Sequence, residues 1–497
     1  MIPYILLFYT CFFLSFYYDF ELNGFIFLIS SALLTKELFL RKQTGKQIGF
    51  RELWIFSLGL GFICILWMWF IVNYVGLFFT VLAMFASSLV LSILFSLIFL
   101  PVIYVKNLSL SFVFLYSLYF VGWSYFFHWL DDLGLSFLQL YFTQSSIYYF
   151  YPLFSIHPLI VIFLTVLLIF YFTRLFLQAN LRGLYIGFGF LVFLNLVFRF
   201  YYDGVKWKYL KNFEAILDKE KVTLFLISTN VISSAPDYRK RNEEMTFYKL
   251  SVAISTAYSY TKDNQKTFVF LLPEGSLSKD DNHLFNLSQP NLSTSIRNIR
   301  NNILSLLGSQ KMFSIFRSSF LFYNPTSVDH IEKKLFNSVV MLNLQEVMDL
   351  EIKSYQIYNK EFLVPFTERV PEFFRPVSKL LSRWIILYTY LDYTKGKNNS
   401  KEFFVKSICF RPLICFESFK HIYPFDNYEK VEFIVISSND TWFINNPILD
   451  LHLKSAKILS VSKRKPVIFL VNGYRNKIFV FDDVTNHLRS SRNVIEF

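Results

Sequence analysis

Three short stretches carry side chains whose types and spacing could do chemistry. Leu413-Ile414-Cys415-Phe416-Glu417-Ser418 is an apolar run that ends in a thiol, an aromatic residue and a carboxylate. It reads as a strand delivering a cysteine to a turn at its C-terminal end, and sulfur attacks acyl carbons well once it is thiolate. An isolated cysteine on a strand is ordinarily a packing residue. Phe268-Val269-Phe270-Leu271-Leu272-Pro273-Glu274 puts a carboxylate just past a strand of apolar residues. Residues 358–371 form a Pro-punctuated loop in which Lys360 and Glu368 flank an apolar centre. Taken singly, a Glu at a strand end and a Lys in a loop are solvated surface residues. Taken together, Glu274, Lys360 and Cys415 supply a base, a cation and a thiol, the parts needed for acyl transfer through a thioester.

The chemistry requires those three types. A partly desolvated Glu can take the thiol proton, because burial lifts its pKa toward neutrality. Lys offers a positive N–H donor where the carbonyl oxygen becomes negative, and the backbone N–H of Phe416 can supply a second. An ammonium nearby also favours thiolate. The chain has four cysteines. Cys11 and Cys64 fall in apolar segments and read as packing residues. Cys409 and Cys415 match neither a CxxC nor a zinc spacing, so no metal is expected. A disulfide between them is open to an exported domain, but it would consume the nucleophile.

The elements that position these residues divide the chain in two. The 497 residues are 54% hydrophobic and only 17% charged, where a soluble globular protein averages about 25%. The deficit lies in residues 1–203, and residues 221–497 have an ordinary mixture. A bilayer span needs about 20 apolar residues. About seven are expected, near 2–18, 22–39, 53–74, 76–105, 108–130, 157–173 and 183–201. The stretch 133–156 is apolar but broken, as a re-entrant or interfacial segment would be. No basic residue precedes the first span and no small-residue cleavage site follows it, so it reads as a retained anchor. Arg41, Lys42, Lys46, Arg51, Lys106, Arg174 and Arg182 fall in loops on one side, and Asp19, Glu21, Asp131 and Asp132 on the other. Basic loops stay in the cytoplasm, which places everything after the seventh span outside; in a bacterium with two membranes that is an inner-membrane protein with a periplasmic domain. Lys206, Lys208 and Lys211 run against that rule, but large domains translocate largely regardless of charge. His128, beside Trp129 and Asp131, reads as an interfacial belt residue. The net charge of +13 fits anionic lipid headgroups, and no nucleic-acid motif is present.

Past 221 the pattern becomes short β-rich runs alternating with helical stretches. Strands are expected near 222–228, 267–272, 312–323, 336–344, 403–408, 411–415, 432–438, 466–472 and 476–482. Helices are expected near 241–261, 294–307 and 449–463. That alternation argues for an α/β layered fold. The polar stretches 278–295 and 395–401 read as surface loops. There is no internal repeat, and GxSxG, HExxH, the P-loop and GxGxxG are absent.

The stretches LLPEGSL, YNKEFLVPFTERVP, ICFES and ISSNDTWF resemble the nitrilase superfamily, and within it the apolipoprotein N-acyltransferases. The likeness runs along most of the chain in the same order, and the Lys–Val-Pro-Phe–Glu loop is its most specific part. Residues 67–70 and 137–144 are similar to family stretches in the membrane half. The resemblance implies a bundle of membrane spans carrying a nitrilase-like αββα sandwich. It implies Glu274 as general base, Lys360 as oxyanion holder and Cys415 as carrier of the acyl group. Glu368 matches a supporting glutamate, and Phe416 and Glu417 match the aromatic and acidic positions after the nucleophile. Asn439 and Trp442 match a strand-end loop beside the pocket, and Asn472-Gly473 a late turn. The chain departs from the family pattern at Leu272, Thr367, Ile444 and Tyr238, and the family usually continues past the position of Phe497 with a final strand and span. These departures bear on pocket shape and anchoring more than on reaction type.

The function expected on this resemblance is transfer of a fatty acyl chain from a phospholipid to Cys415, then to the amine of a diacylglyceryl-cysteine at a lipoprotein N-terminus, with no cofactor. One nucleophile serving both steps makes the course ping-pong. Other readings stay open: a membrane-anchored amidase or an acyltransferase for another amine, a transporter or receptor with a ligand-binding outer domain, and a non-catalytic homologue. The spans lack the paired intramembrane charges of a transporter.

Overall fold

The computed structural model describes the chain except for residues 19–21, 47–48, 67–76, 106–107, 130–139, 146, 230–237, 261–265, 277–283, 308–315, 318, 330, 365–367, 370–392, 399, 424–426, 441–446, 473–474, 489–492 and 497. The chain forms two compact units. One comprises Met1–Gly204, Ile422–Pro424 and Asn445–Ser462, and the other Val205–His421, Phe425–Ile444 and Lys463–Phe497.

The first unit is helical. Its long helices are α1 (Ile2–Tyr17), α2 (Asn23–Gln43), α3 (Phe50–Ile65), α4 (Leu77–Tyr104) and α5 (Leu110–Trp129). After the short α6 (Tyr151–Ile156) come α7 (Pro158–Leu177) and α8 (Leu181–Lys219). Helices therefore occupy all seven stretches expected to be spans. Among the described residues, five of them are long and apolar enough to cross a membrane. The exceptions are α1 and α3, each of 16 residues. The broken apolar stretch ahead of α7 holds 3₁₀ turns at Leu140–Gln144 and Tyr148–Phe150. A cluster of Phe39, Val102, Val113, Tyr116, Val166 and Phe170 packs α2, α4, α5 and α7 together. The imidazole of His157 caps α7 by accepting from the Leu159 N–H at 3.2 Å. Helix α8 runs unbroken through 39 residues, about 58 Å, so the expected boundary near 203 falls inside it.

The second unit is an α/β sandwich, in line with the expected fold class. Its first sheet contains β1 (Val222–Leu226), β2 (Thr267–Leu271), β3 (Leu284–Asn286), β4 (Ser319–Tyr323), β5 (Thr326–Asp329), β6 (Lys334–Asn343), β7 (Tyr355–Asn359) and β14 (Val494–Glu496). The order is β14-β1-β2-β4-β6-β5-β3, and β7 pairs with β6. Strands β14, β1, β2 and β4 are parallel, whereas β6 runs against β4, β5 and β7. The second sheet has as its centre the parallel set β9 (Ile408–Ile414), β10 (Phe433–Asn439) and β11 (Val467–Asn472). It adds β8 (Phe403–Val405), β12 (Lys477–Val480) and β13 (Asp482–Asp483) to these three strands, in the order β13-β12-β11-β10-β9-β8. Every residue of β1, β2, β9 and β11 is buried, which explains why β1, β2 and β11 read as mainly apolar runs, whereas β9 carries the buried Arg411, 3.5 Å from Glu402. The sheets meet through Phe322 of β4, whose ring lies 6.1 Å from Phe403 and 6.2 Å from Phe410. On the opposite face of the first sheet, α9 (Tyr238–Ser259) and α10 (Thr294–Leu307) close a core with Phe225, Phe270, Leu250, Ile254, Ile299 and Ile303.

Several elements differ from expectation. The 358–371 stretch does not begin as a loop, because strand β7 runs to Asn359 and pairs with β6. The expected strands 403–408 and 411–415 are one hairpin. Its strand β8 (Phe403–Val405) turns through Lys406, with φ +54°, into β9. Strands β3, β5 and β14 and helix α11 (Leu344–Asp349) were not expected from the sequence pattern.

Candidate active site

Three strand ends supply the reactive groups. Strand β2 ends at Leu271 and the chain passes through Leu272 and Pro273 to Glu274, which is 6% exposed. The Leu272 N–H donates to the Phe322 carbonyl at 2.9 Å, so the turn stays tied to β4. Gly275 follows with φ +70°, and a Cβ there would lie 2.5 Å from Nδ2 of Asn439. Only glycine takes that backbone cheaply, and only glycine leaves Asn439 its place. Below the turn, the Asn472 amide donates to the Glu274 carbonyl at 2.6 Å and the Asn242 amide to the Gly275 carbonyl at 2.6 Å. Thr229 Oγ1 lies between the two side chains, within hydrogen-bond reach of both amide oxygens, and its single proton bridges them.

Lys360 directly follows β7. Its N–H donates to the Asn337 carbonyl at 2.8 Å, continuing the β6–β7 pairing by one residue. The side chain is 1% exposed, and Nζ lies 2.9 Å from Oε2 and 3.0 Å from Oε1 of Glu368. Burial alone would lower the lysine pKa. The acidic groups facing it, Glu368 first and then Cys415, Glu274 and Glu417, outweigh burial and push the value up, so the ammonium stays charged.

Cys415 sits at the end of β9, where its N–H donates to the Ser437 carbonyl at 2.8 Å. The chain then turns at once into α12 (Glu417–His421). Cys415 takes φ +50°, a left-handed conformation that costs a side-chain-bearing residue about 1–2 kcal/mol. It is half-buried and free, as is Cys409, so the two do not form a disulfide. Burial pushes its thiol well up. Lys360 and a hydrogen bond with Ser438 pull it down, while Glu274 and Asp440 push it further up. The resting group is therefore a neutral thiol that needs a base to remove its proton.

Glu274, Lys360 and Cys415 thus face one another from the ends of β2, β7 and β9, each within electrostatic reach of the other two. Glu368 joins them through Lys360. Glu417 is fully buried and accepts four hydrogen bonds. Its Oε1 takes the Tyr358 hydroxyl at 2.8 Å, the Glu361 N–H at 2.7 Å and the Phe362 N–H at 3.2 Å. Its Oε2 takes the Ile414 N–H at 2.8 Å. One carboxylate therefore straps the Lys360 strand end to the Cys415 strand end. Burial raises its pKa to about 7 against the pull of Lys360 and these donors. Phe416 is buried against Phe419, ring centres 5.5 Å apart, and Asn439 lies against Gly275. Trp442 and Gly473 lie outside the described residues.

Two positioning residues escaped sequence reasoning. Asn337 on β6 is fully buried, and its amide donates to Glu274 Oε1 at 3.0 Å and to Glu368 Oε1 at 2.6 Å. Its own oxygen accepts from Asn324 at 3.0 Å, which fixes which way the amide points. Asn398 pairs with the backbone of Asn359, accepting its N–H and donating to its carbonyl, both at 2.8 Å. No motif marks either residue. Their only signal is an amide within a β-rich run and an amide within a polar run.

No protein-family model matches the chain. Over 142 residues it is 30% identical to the apolipoprotein N-acyltransferase of Aquifex aeolicus (strain VF5), covering 28% of each sequence. Over 156 residues it is 28% identical to the apolipoprotein N-acyltransferase of Campylobacter jejuni, covering 31% of each. The matched part spans about three tenths of these curated relatives. Among solved structures, it is similar to Nit3 of Saccharomyces cerevisiae, a member of branch 10 of the nitrilase superfamily. That match has a TM-score of 0.32 and 14% identity, over 53% of this chain and 85% of that one. An amidase from Nesterenkonia sp. matches with a TM-score of 0.29 and 8% identity, over 53% and 83%.

Proposed function

We propose that this protein is an apolipoprotein N-acyltransferase working through a Glu274–Lys360–Cys415 triad, and that it acts at the bacterial inner membrane with its α/β unit in the periplasm. The observation that carries the proposal is the convergence of a buried carboxyl group, a buried lysine and a half-buried free cysteine from three strand ends. The matched relatives bear that activity in their names. Both substrates in this reading are lipids, which suits a chain with several helices apolar enough to cross a bilayer.

In the first step Glu274 takes the Cys415 proton while Sγ attacks the ester carbonyl of a phospholipid. The oxyanion that develops lies against the Lys360 ammonium, where a fixed charge in a dry site stabilises it without reorganising. Collapse breaks the ester C–O bond, and Glu274 returns the proton to the departing lysophospholipid oxygen. In the second step the α-amine of a diacylglyceryl-cysteine attacks the thioester carbonyl, forming an amide and releasing the Cys415 thiol. Glu368 and Asn337 hold the lysine and the base in place throughout.

The test is transfer of a radiolabelled acyl chain from phosphatidylethanolamine to a diacylglyceryl lipopeptide. Wild-type protein should label the peptide. Cys415→Ala, Glu274→Gln and Lys360→Met should each lower the rate by at least about 10³, the scale of losing a nucleophile, a base or an oxyanion donor. Wild-type rates in Cys415→Ala would end the proposal.

A further inference from the structure

The helical unit encloses a cavity of about 170 Å³, walled by α1, α2, α3, α4, α5 and α7. Rings of Phe8, Phe27, Phe56, Phe99, Phe120 and Phe170 form much of that wall. An apolar void of about 150 Å³ in an engineered protein stays dry and takes up benzene, because water needs two to four polar partners. This wall offers few. Thr35 Oγ1 donates to the Ser31 carbonyl at 2.7 Å, and the Tyr116 hydroxyl donates to the Ile98 carbonyl at 3.1 Å. The Ser31 hydroxyl is 5% exposed and has no hydrogen-bond partner among the described residues. Such a wall suits hydrocarbon.

One end differs, because Lys42 and Glu52 also line the cavity. Lys42 Nζ donates to the carbonyls of Val102 and Val105 near the end of α4, the latter at 2.9 Å. An ammonium has three N–H donors, so one remains. Between residues 36 and 52, Lys36, Arg41, Lys42, Lys46 and Arg51 stand against Glu37 and Glu52, five positive charges against two negative, a net +3, and the Met1 ammonium lies 3.6 Å from Glu37. From Ile5 to Phe16 the α1 side of the wall runs twelve residues, a rise of about 16 Å. A groove of about 610 Å³ between α1 and α3 shares Ile5, Glu52 and Phe56 with the cavity.

We infer that this cavity holds a segment of one acyl chain of an anionic phospholipid, with the phosphate at the Lys42 end, that segment running along α1 past Ser31 and the rest of the chain lying in the adjoining groove. The cavity wall lies wholly in the helical unit, so the inference does not rest on the acyl-transfer reading. The charge of the mouth selects an anionic headgroup, and the length and dryness of the slot select a straight hydrocarbon.

The experiment uses the full chain, delipidated in detergent, and phosphatidylglycerol with a diazirine at mid-chain. After photolysis, saturable labelling should map to wall segments of α2 and α5 around Ser31 and Phe120. Ser31→Phe fills the slot and should lower that labelling at least fivefold, and Ser31→Leu should lower it less. Unlabelled phosphatidylglycerol should compete at least threefold better than phosphatidylcholine, and Lys42→Gln should abolish that preference. Labelling confined to outward residues of α8 such as Phe190 and Phe193 would overturn the inference. So would labelling unchanged in the properly folded Ser31 variants, or equal competition by phosphatidylcholine. Because the wild-type peptide map decides the site alone, misfolding of a variant does not leave the question open.

Discussion

The Glu417 carboxylate accepts from Ile414, Glu361, Phe362 and Tyr358, four donors on either side of the gap between Cys415 and Lys360. Its pKa is raised to about 7, whereas a glutamate in an unfolded chain titrates near 4.3. Between those values the folded protein holds a proton that the unfolded chain has lost. The stability contributed by this group is therefore full below about 4.3, falls as pH rises toward 7, and then levels off. Glu417→Gln should flatten that part of the melting-temperature profile between pH 4.5 and 7.5. It should also lower stability by about 1–3 kcal/mol, since an amide NH₂ must face one of the four donors. An unchanged pH profile in the variant would contradict this account. Asn337 is a second residue whose effect is indirect. Asn337→Ala leaves Glu274 and Glu368 without their shared donor. Acyl transfer should fall at least tenfold, mainly in kcat, because the base loses its orientation while the lipid-binding surface is untouched.

Strand β7 and the segment beside it show how elements set the site. Gly396 donates its N–H to the Lys360 carbonyl at 2.8 Å, and a Cβ there would lie 2.1 Å from the Asn359 carbonyl oxygen. That oxygen is backbone and cannot move aside cheaply. Gly396→Ala should therefore push residues 394–398, a strap along β7, away from that strand, cut acyl transfer by an order of magnitude or more, and lower the melting temperature. Wild-type rates and stability would show that the strap is dispensable. These elements also mark the limits of what can be read from residues alone. Glu274 was legible because β2 is buried on both faces and so is an apolar run that ends abruptly at a reactive side chain, and Cys415 because the apolar pair Leu413-Ile414 leads straight into it, although Arg411 and Pro412 interrupt β9 just before that pair. The seven long helices were legible for the same reason of continuous apolarity. Strand β7 was hidden because Tyr355-Gln356-Ile357-Tyr358-Asn359 mixes polar and apolar residues and lies close to Pro365 and Pro371. Strands β3 and β5 are three and four residues long, too short for a period to register. Asn337 and Asn398 carry no local signal, since an amide's worth here depends on partners 31 to 63 residues away. The strap itself lies in the polar run 395–401, which composition assigns to solvent.

At the scale of the whole chain, one unit is rich in helices suited to a bilayer and the other presents an acid, a cation and a thiol from three strand ends. A chain built this way makes sense if the group carried by the thiol comes from a membrane lipid. Everything proposed about donor, acceptor and order of steps depends on a thioester at Cys415. The most direct measurement is the intact mass of the purified protein after incubation with phospholipid vesicles in the absence of acceptor. The account predicts a single added acyl mass that maps to the Cys415 peptide, is released by hydroxylamine, is absent in Cys415→Ser, and disappears when a diacylglyceryl lipopeptide is added. No adduct in a protein that still transfers acyl chains to the lipopeptide, or an adduct on a different residue, would contradict it.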